Sequence, residues 1–302
     1  MSAPHITTSI ERITLGELVC WRLQGPAGEL VVAEQGAQIV SYQEWDQPPL
    51  LWVSDEAEYK EGVSLRGGVP VCWPWFGDLK RNPKDIQAMH TDVASAPAHG
   101  FARTAMWQLL DLEDQGEEVR LTLGLYADGN ASWPHSAELE LEIRLGKRLS
   151  LALTTRNTGT TELSISQALH SYFAVSDIRK VKVEGLSGAT YVDTLDDWLK
   201  HKQKGALTFS DETDRIYLDT PKRMALTDGL WQRKIHLEVE GSDSCVVWNP
   251  WINKAKRLSQ FNENAWQHML CIETANVLDD ALVMAPESEH RLALTLWSES
   301  LA

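Results

Sequence analysis

The sequence is short of several things, and each shortage argues against a class of function. It holds four cysteines in 302 residues, Cys20, Cys72, Cys245 and Cys271, all far apart. None forms a Cys-x-x-Cys pair, so a thiolate zinc site is not indicated. So few thiols in so long a chain do not make a disulfide framework. They are expected to be reduced and mostly buried. No run approaches the ~20 apolar residues of a membrane-spanning helix. The opening stretch from Met1 to Cys20 has neither the basic nor the apolar region of a secretory signal. A cytoplasmic protein that engages no membrane is the expectation. Cations are scarce as well: 28 Lys and Arg stand against 43 Asp and Glu, for a net charge of −15. Such a field repels nucleic acid and anionic membranes. Any anionic ligand would be held by a few local cations, so an arginine inside a candidate site is informative. Linkers, low-complexity tracts and fixed-period repeats are also lacking, and residues 1–302 are expected to form one domain. Helical periodicity is rare; Thr194–Lys204 is the segment where a helical turn or two is expected.

What the chain does have is period-two alternation. Leu139, Leu141, Ile143 and Leu145 alternate with Glu138, Glu140, Glu142 and Arg144. Gly146-Lys147 marks a turn, and Leu149, Leu151 and Leu153 begin the next run. This predicts a hairpin with one wet face and one buried face. Val119–Leu125, Ile235–Val239, Cys245–Trp248 and the run Leu292, Leu294, Leu296 read the same way. Many short strands between Gly, Asn, Asp and Pro signals predict an all-β, antiparallel sandwich. This spacing does not separate an open sandwich from a barrel. The chain also carries 13 tryptophans. Indole faces suit the C–H side of a sugar ring, and they equally suit ordinary packing.

Several segments break the alternation and concentrate functional groups. In Leu65-Arg66-Gly67-Gly68-Val69-Pro70-Val71-Cys72-Trp73-Pro74-Trp75-Phe76-Gly77, paired glycines allow turns closed to other residues, and Arg66 offers a planar donor fork to an oxyanion. In Ala98-His99-Gly100-Phe101-Ala102-Arg103, a neutral imidazole can donate to a sugar oxygen. In Ala168-Leu169-His170-Ser171-Tyr172-Phe173, the histidine sits at or just past a strand, where it is either a satisfied core group or a catalyst. In Met269-Leu270-Cys271-Ile272-Glu273-Thr274-Ala275, Glu273 lies within an apolar run. A carboxylate there is either neutralised by a partner or poised as an acid or base. Ser210–Tyr217 gathers charge around a strand start and reads by itself as a solvated loop.

Taken together, LRGGVPVCWPWFG, AHGFAR, LHSYF with the following Ser176-Asp177-Ile178, ETDRIY, VVWNPW and CIETA resemble the hexose-6-phosphate mutarotases, or glucose-6-phosphate 1-epimerases. These are a branch of the aldose 1-epimerase, galactose mutarotase-like superfamily. The motifs come in the family's order and span residues 65–275, and the first is specific to the sugar-phosphate branch. The resemblance implies an antiparallel β-supersandwich with an open cleft and few short helices. By position, it implies that His170 is the general acid and Glu273 the general base. His99 matches a substrate-binding histidine. Arg66 and Asp214 match contacts to sugar hydroxyls or phosphate, and Arg103 matches an arginine near the phosphate end. Trp248 and Asn249 fall on a strand that lines the cleft. By the same resemblance, Asp78–Pro97, with Lys80, Arg81, Lys84, His90 and Asp92, departs from the bacterial members of the family as a longer loop. It is expected to lid the cleft, add phosphate contacts or serve an interface.

The implied reaction interconverts α and β anomers of a hexose 6-phosphate by opening and reclosing the ring. A base takes the O1 proton while an acid on the opposite side of the C1–O5 unit protonates the ring oxygen. No hydride or electron moves, so no cofactor and no metal are called for. The partner is a small sugar phosphate; which hexose is not legible, and a monomer is the default state. Two rivals remain. One is a metal-dependent oxygenase with His99, His170 and Glu273 as a two-histidine, one-carboxylate triad, although no His-x-His or His-x-x-x-His spacing appears. The other is a carbohydrate-binding module without catalysis.

Overall fold

The computed structural model describes residues 8–301. The first seven residues, part of the stretch read as non-secretory, and Ala302 lie outside the described residues. The predicted alternation becomes strand almost residue for residue. Val119–Ala127, Ala137–Leu145, Leu149–Asn157, Arg233–Glu240 and Glu289–Ser300 all join one nine-stranded antiparallel sheet. Gly146 and Lys147 lie in the turn that joins Ala137–Leu145 to Leu149–Asn157, with Leu145 opposite Leu149. Along Ala137–Leu145 every second residue is buried while the glutamates between them face out. That is the geometry of a sheet wet on one side.

A second, eight-stranded sheet runs in the order Leu199–Lys202, Thr190–Asp193, Thr213–Leu218, Ser244–Asn249, Met269–Asn276, Gln167–Leu169 and Val71–Cys72. Tyr172–Ala174 pairs with the far half of Met269–Asn276. Leu121, Leu141, Leu151, Ile235 and Leu294 of the large sheet share one hydrophobic core with Leu169, Tyr217, Cys245, Val247 and Ile272 of the second. The core therefore sits between the two sheets, as sandwich packing requires. A four-stranded meander over Ser9–Glu44 completes the β-structure together with the short pair Leu163–Ile165 and Leu282–Met284. Helices are few and short, the α-helices being Lys84–Ala88 and Trp251–Ala255. Among the described residues no helix is long and apolar enough to cross a membrane. All four cysteines are buried and unpaired.

The helical expectation for Thr194–Lys204 is overturned. Leu199–Lys202 is a strand paired with Thr190–Asp193, and the residues between them form the turn. Asp197 and Trp198 take positive φ angles of 47° and 61°. The Asp193 carboxylate accepts from the Leu195 N–H at 3.1 Å, the kind of local bond by which aspartate competes with a helix. The i, i+3, i+4 spacing of Leu195, Trp198 and Leu199 mimics a helical stripe over a segment too short to be one.

Candidate active site

The outward face of the eight-stranded sheet floors a cleft, and strand periodicity decides which side chains reach it. Glu273 stands opposite Val246, and Val246 opposite Ile216. One step along, Cys271 faces both Trp248 and Tyr172, and Trp248 faces Asp214. Two rows of residues on the cleft side of the sheet result, in which Cys271 lies buried beneath the cavity and the others line it. One is apolar around a single carboxyl; the other carries the aromatic and acidic groups. The cavity above them has a volume of about 730 Å³ and is lined by Arg66, His99, Arg103, His170, Asp214, Trp248 and Glu273 among others.

Glu273 is 2 % exposed and His170 8 %. His170 Nε2 lies 3.5 Å from Glu273 Oε1. The acid and base expected on opposite sides of a hemiacetal are thus close neighbours on one floor. The imidazole is fixed from behind: its backbone N–H donates to the Pro70 carbonyl at 3.0 Å. Its ring stacks on Tyr172 at 4.7 Å with an interplanar angle of 7°, and Tyr172 stacks in turn on Trp52. His170 Nδ1 and Glu273 Oε2 are buried and have no hydrogen-bond partner among the described residues. Burial pushes the Glu273 carboxyl well up, and the Asp214 charge adds to it. Burial also pushes His170 well down, with His99, Arg103 and Arg66 adding in the same direction.

His99 sits in a turn with a positive φ of 64°, beside Gly100 at 72°. A side chain at position 100 would collide with the Trp73 carbonyl, so glycine is required there. His99 Nδ1 accepts from the Gly77 N–H at 3.2 Å. That places the ring proton on Nε2, as a neutral donor. Burial, with Arg103 and Arg66 contributing, pushes His99 down to about 3. Its ring lies 5.3 Å from that of His170. Arg103 anchors by donating from Nη2 to the Ala98 carbonyl at 2.7 Å. Neither Arg66 nor Arg103 forms an ion pair among the described residues. Both cations are therefore available to an anion. Asp214 is paired with Lys254 at 3.5 Å, and burial still raises its carboxyl.

Asn249 departs from expectation. It is fully buried on the opposite face from Trp248. Its Nδ2 donates to the carbonyls of Trp266 and Met269, and its Oδ1 accepts from the Trp251 N–H. It holds the helix-bearing loop in place and does not line the cleft; one step along a strand reverses the side chain. Conversely, Lys254 and Trp198 line the cleft and were missed in the sequence. Lys254 lies in the short helix Trp251–Ala255 outside any motif, and Trp198 was hidden in the misread helix.

The long segment Asp78–Pro97 forms one wall. Asp78, Arg81 and Asn82 line the cleft, and the Arg81 guanidinium sits 5.4 Å from the Trp198 ring centroid. Leu79 and Ile86 pack with Trp75 in a small separate core. His90 packs on Trp75 at 4.5 Å, and Lys84 bonds Gln87, so neither faces the cleft.

Known proteins resemble this chain along most of its length. The family model described as aldose 1-epimerase matches residues 19–297. A protein of Escherichia coli provisionally named glucose-6-phosphate 1-epimerase is 32% identical over 289 residues, 95% of this chain and 92% of that protein. A crystal structure from Salmonella typhimurium, provisionally named a mutarotase, superposes with a TM-score of 0.86 at 29% identity, covering 99% of this chain and 95% of that one. A galactose mutarotase-like protein from Clostridium acetobutylicum shares the fold at 13% identity, with a TM-score of 0.73 over 98% of this chain and 99% of its own.

Proposed function

The chain belongs to the aldose 1-epimerase family, and from that premise we propose that it interconverts the α and β anomers of hexose 6-phosphates, with Glu273 and His170 as the proton-transfer pair. One observation carries the assignment of roles. Two buried titratable groups stand 3.5 Å apart in a cleft, each with an unpartnered polar atom. The hydroxyl oxygen and the ring oxygen of a hemiacetal are bonded to the same carbon. Acid and base must therefore be neighbours, and this pair is.

Glu273 as carboxylate takes the O1 proton while His170 as imidazolium protonates O5. The C1–O5 bond breaks and the C1–O1 double bond forms. The pair is then a carboxylic acid and a neutral imidazole, with one proton shared between them throughout. Rotation about C1–C2 and the reverse transfers close the ring on its other face. His99 donates from Nε2 to a sugar oxygen. Arg66 and Arg103, free of carboxylate partners, hold the phosphate through charge-assisted bonds. Trp248 offers the sugar an apolar face and Asp214 an acceptor.

The oxygenase alternative loses its geometry. His99 already uses Nδ1 on the backbone, and the ligand atom grouped with His170 and Glu273 is the Cys271 thiol. The test starts from pure α-glucose 6-phosphate and follows its approach to anomeric equilibrium, beside unphosphorylated glucose. The enzyme should accelerate the phosphorylated sugar preferentially. Glu273→Gln should reduce turnover by about 10²-fold or more while the fold persists. Wild-type rates in that variant would remove Glu273 as the base. Binding without acceleration would leave a carbohydrate-binding module.

A further inference from the structure

Cys271 has no part in the proton transfers, yet alternation puts it two positions from Glu273 on the same face of the same strand. The three donor atoms, a His170 ring nitrogen, the Cys271 Sγ and a Glu273 carboxylate oxygen, all lie within 4.8 Å of one another. The His170–Glu273 separation of 3.5 Å is close to the ~3.3 Å edge of a zinc tetrahedron with N and O ligands at ~2.0–2.1 Å. We propose that the floor of the cleft binds one thiophilic divalent cation of the zinc type, through His170, Cys271 and Glu273, and that this cation shuts off anomer exchange.

The chemistry of the three donors selects the ion. A nitrogen, an oxygen and a sulfur suit zinc and its soft neighbours, whereas magnesium and calcium prefer all-oxygen sets. Three protein ligands leave the fourth position of a tetrahedron open, which water can fill. The second carboxylate oxygen, Glu273 Oε2, is buried and unpartnered among the described residues. Binding requires the thiol to lose its proton to solvent, and burial opposes that in the free protein. Metal affinity therefore climbs as pH rises. The blocked activity follows directly: the ion occupies the lone pairs that exchange protons with O1 and O5. Inhibition rests on the function proposed above, but binding does not.

The two are separated by measuring them apart. Protein stripped with EDTA is titrated with zinc in a metal buffer, and bound metal is counted by equilibrium dialysis. One zinc ion per chain is expected, with no magnesium taken up at the same free concentration. Cys271→Ser should weaken zinc binding at least about tenfold, since loss of a direct ligand costs no less than loss of its supporting partner. Cys245→Ser, altered on the core face of the neighbouring strand, should bind zinc as wild type does. His170→Ala gives a second ligand deletion should the Cys271 variant not fold. Absence of bound zinc in the wild type, or equal weakening in the Cys245 and Cys271 variants, overturns the proposal. Zinc binding without any catalytic activity would sink the functional reading and leave the metal site standing.

Discussion

Burial acts on the two groups at the cleft floor in opposite senses, because it disfavours whichever form is charged. Glu273 is raised well above its ordinary 4.5 and His170 is lowered well below its ordinary 6.5. The empty pair therefore favours carboxylic acid with neutral imidazole. That form carries the same single proton as carboxylate with imidazolium, and the two differ only in where the proton sits. A second proton would have to charge His170, which its lowered affinity opposes. Removing the first would have to ionise Glu273, which its raised affinity opposes. The singly protonated pair should persist across a wide range around neutrality. We expect kcat to stay flat through pH 6.5, with the acid limb falling below it. Measurement at saturating substrate keeps the phosphate's own second ionisation, at about pH 6, out of the binding step. An acid limb centred at or above 6.5 would mean that His170 titrates as an ordinary exposed imidazole, and the shared-proton scheme would fail.

Strands carry the site, and loops tune it. Strands were the legible part, because alternation of Leu139, Leu141 and Ile143 with glutamates states both the element and its wet face. Glu273 was legible for the same reason, as a charge in an apolar run. Asn249 was not, since assigning it to the correct face needs the register with Asp214 and Trp248 and not just the strand's existence. Lys254 and Trp198 were illegible because they reach the cleft from a five-residue helix and a turn, through contacts far away in sequence. For the segment Asp78–Pro97 the sequence leaves lid, phosphate contact and interface open, and its anchoring by Leu79 and Ile86 makes it a wall of the cleft. Arg81 projects from that wall over Trp198, linking it to the turn between Thr190–Asp193 and Leu199–Lys202. An exposed cation–π contact is worth about 0.5–1 kcal/mol, and 1.4 kcal/mol is a factor of about ten. Arg81→Ala should accordingly raise KM for the sugar phosphate about threefold and leave kcat and Tm close to wild type. An unchanged KM would show that the two segments hold their places without the arginine and that it does not meet the ligand.

The whole molecule is set against its own substrate. A charge of −15 on a sphere of about 25 Å radius gives a surface potential of ~1.4 kcal/mol per unit charge at 10 mM salt and ~0.6 kcal/mol at 0.15 M. A phosphate dianion approaching the cleft meets that repulsion over tens of ångströms and meets Arg66 and Arg103 only at the end. The two forces respond differently to salt. Repulsion comes from charges spread over the surface and is screened once the Debye length falls from ~30 Å to ~8 Å. The attraction proposed for Arg66 and Arg103, which line the cleft, acts on a phosphate in direct contact with them, and screening reaches a contact pair little. Raising ionic strength from 10 mM to 0.15 M should therefore raise kcat/KM for a hexose 6-phosphate dianion by about tenfold, two charges each losing about 0.8 kcal/mol of repulsion. The same change should leave the unphosphorylated sugar unaffected, which controls for effects of salt on the fold. A steep fall with salt would mean that the cleft's cations steer the substrate from a distance and outweigh the acidic surface, so that the local field, not the net charge, governs encounter.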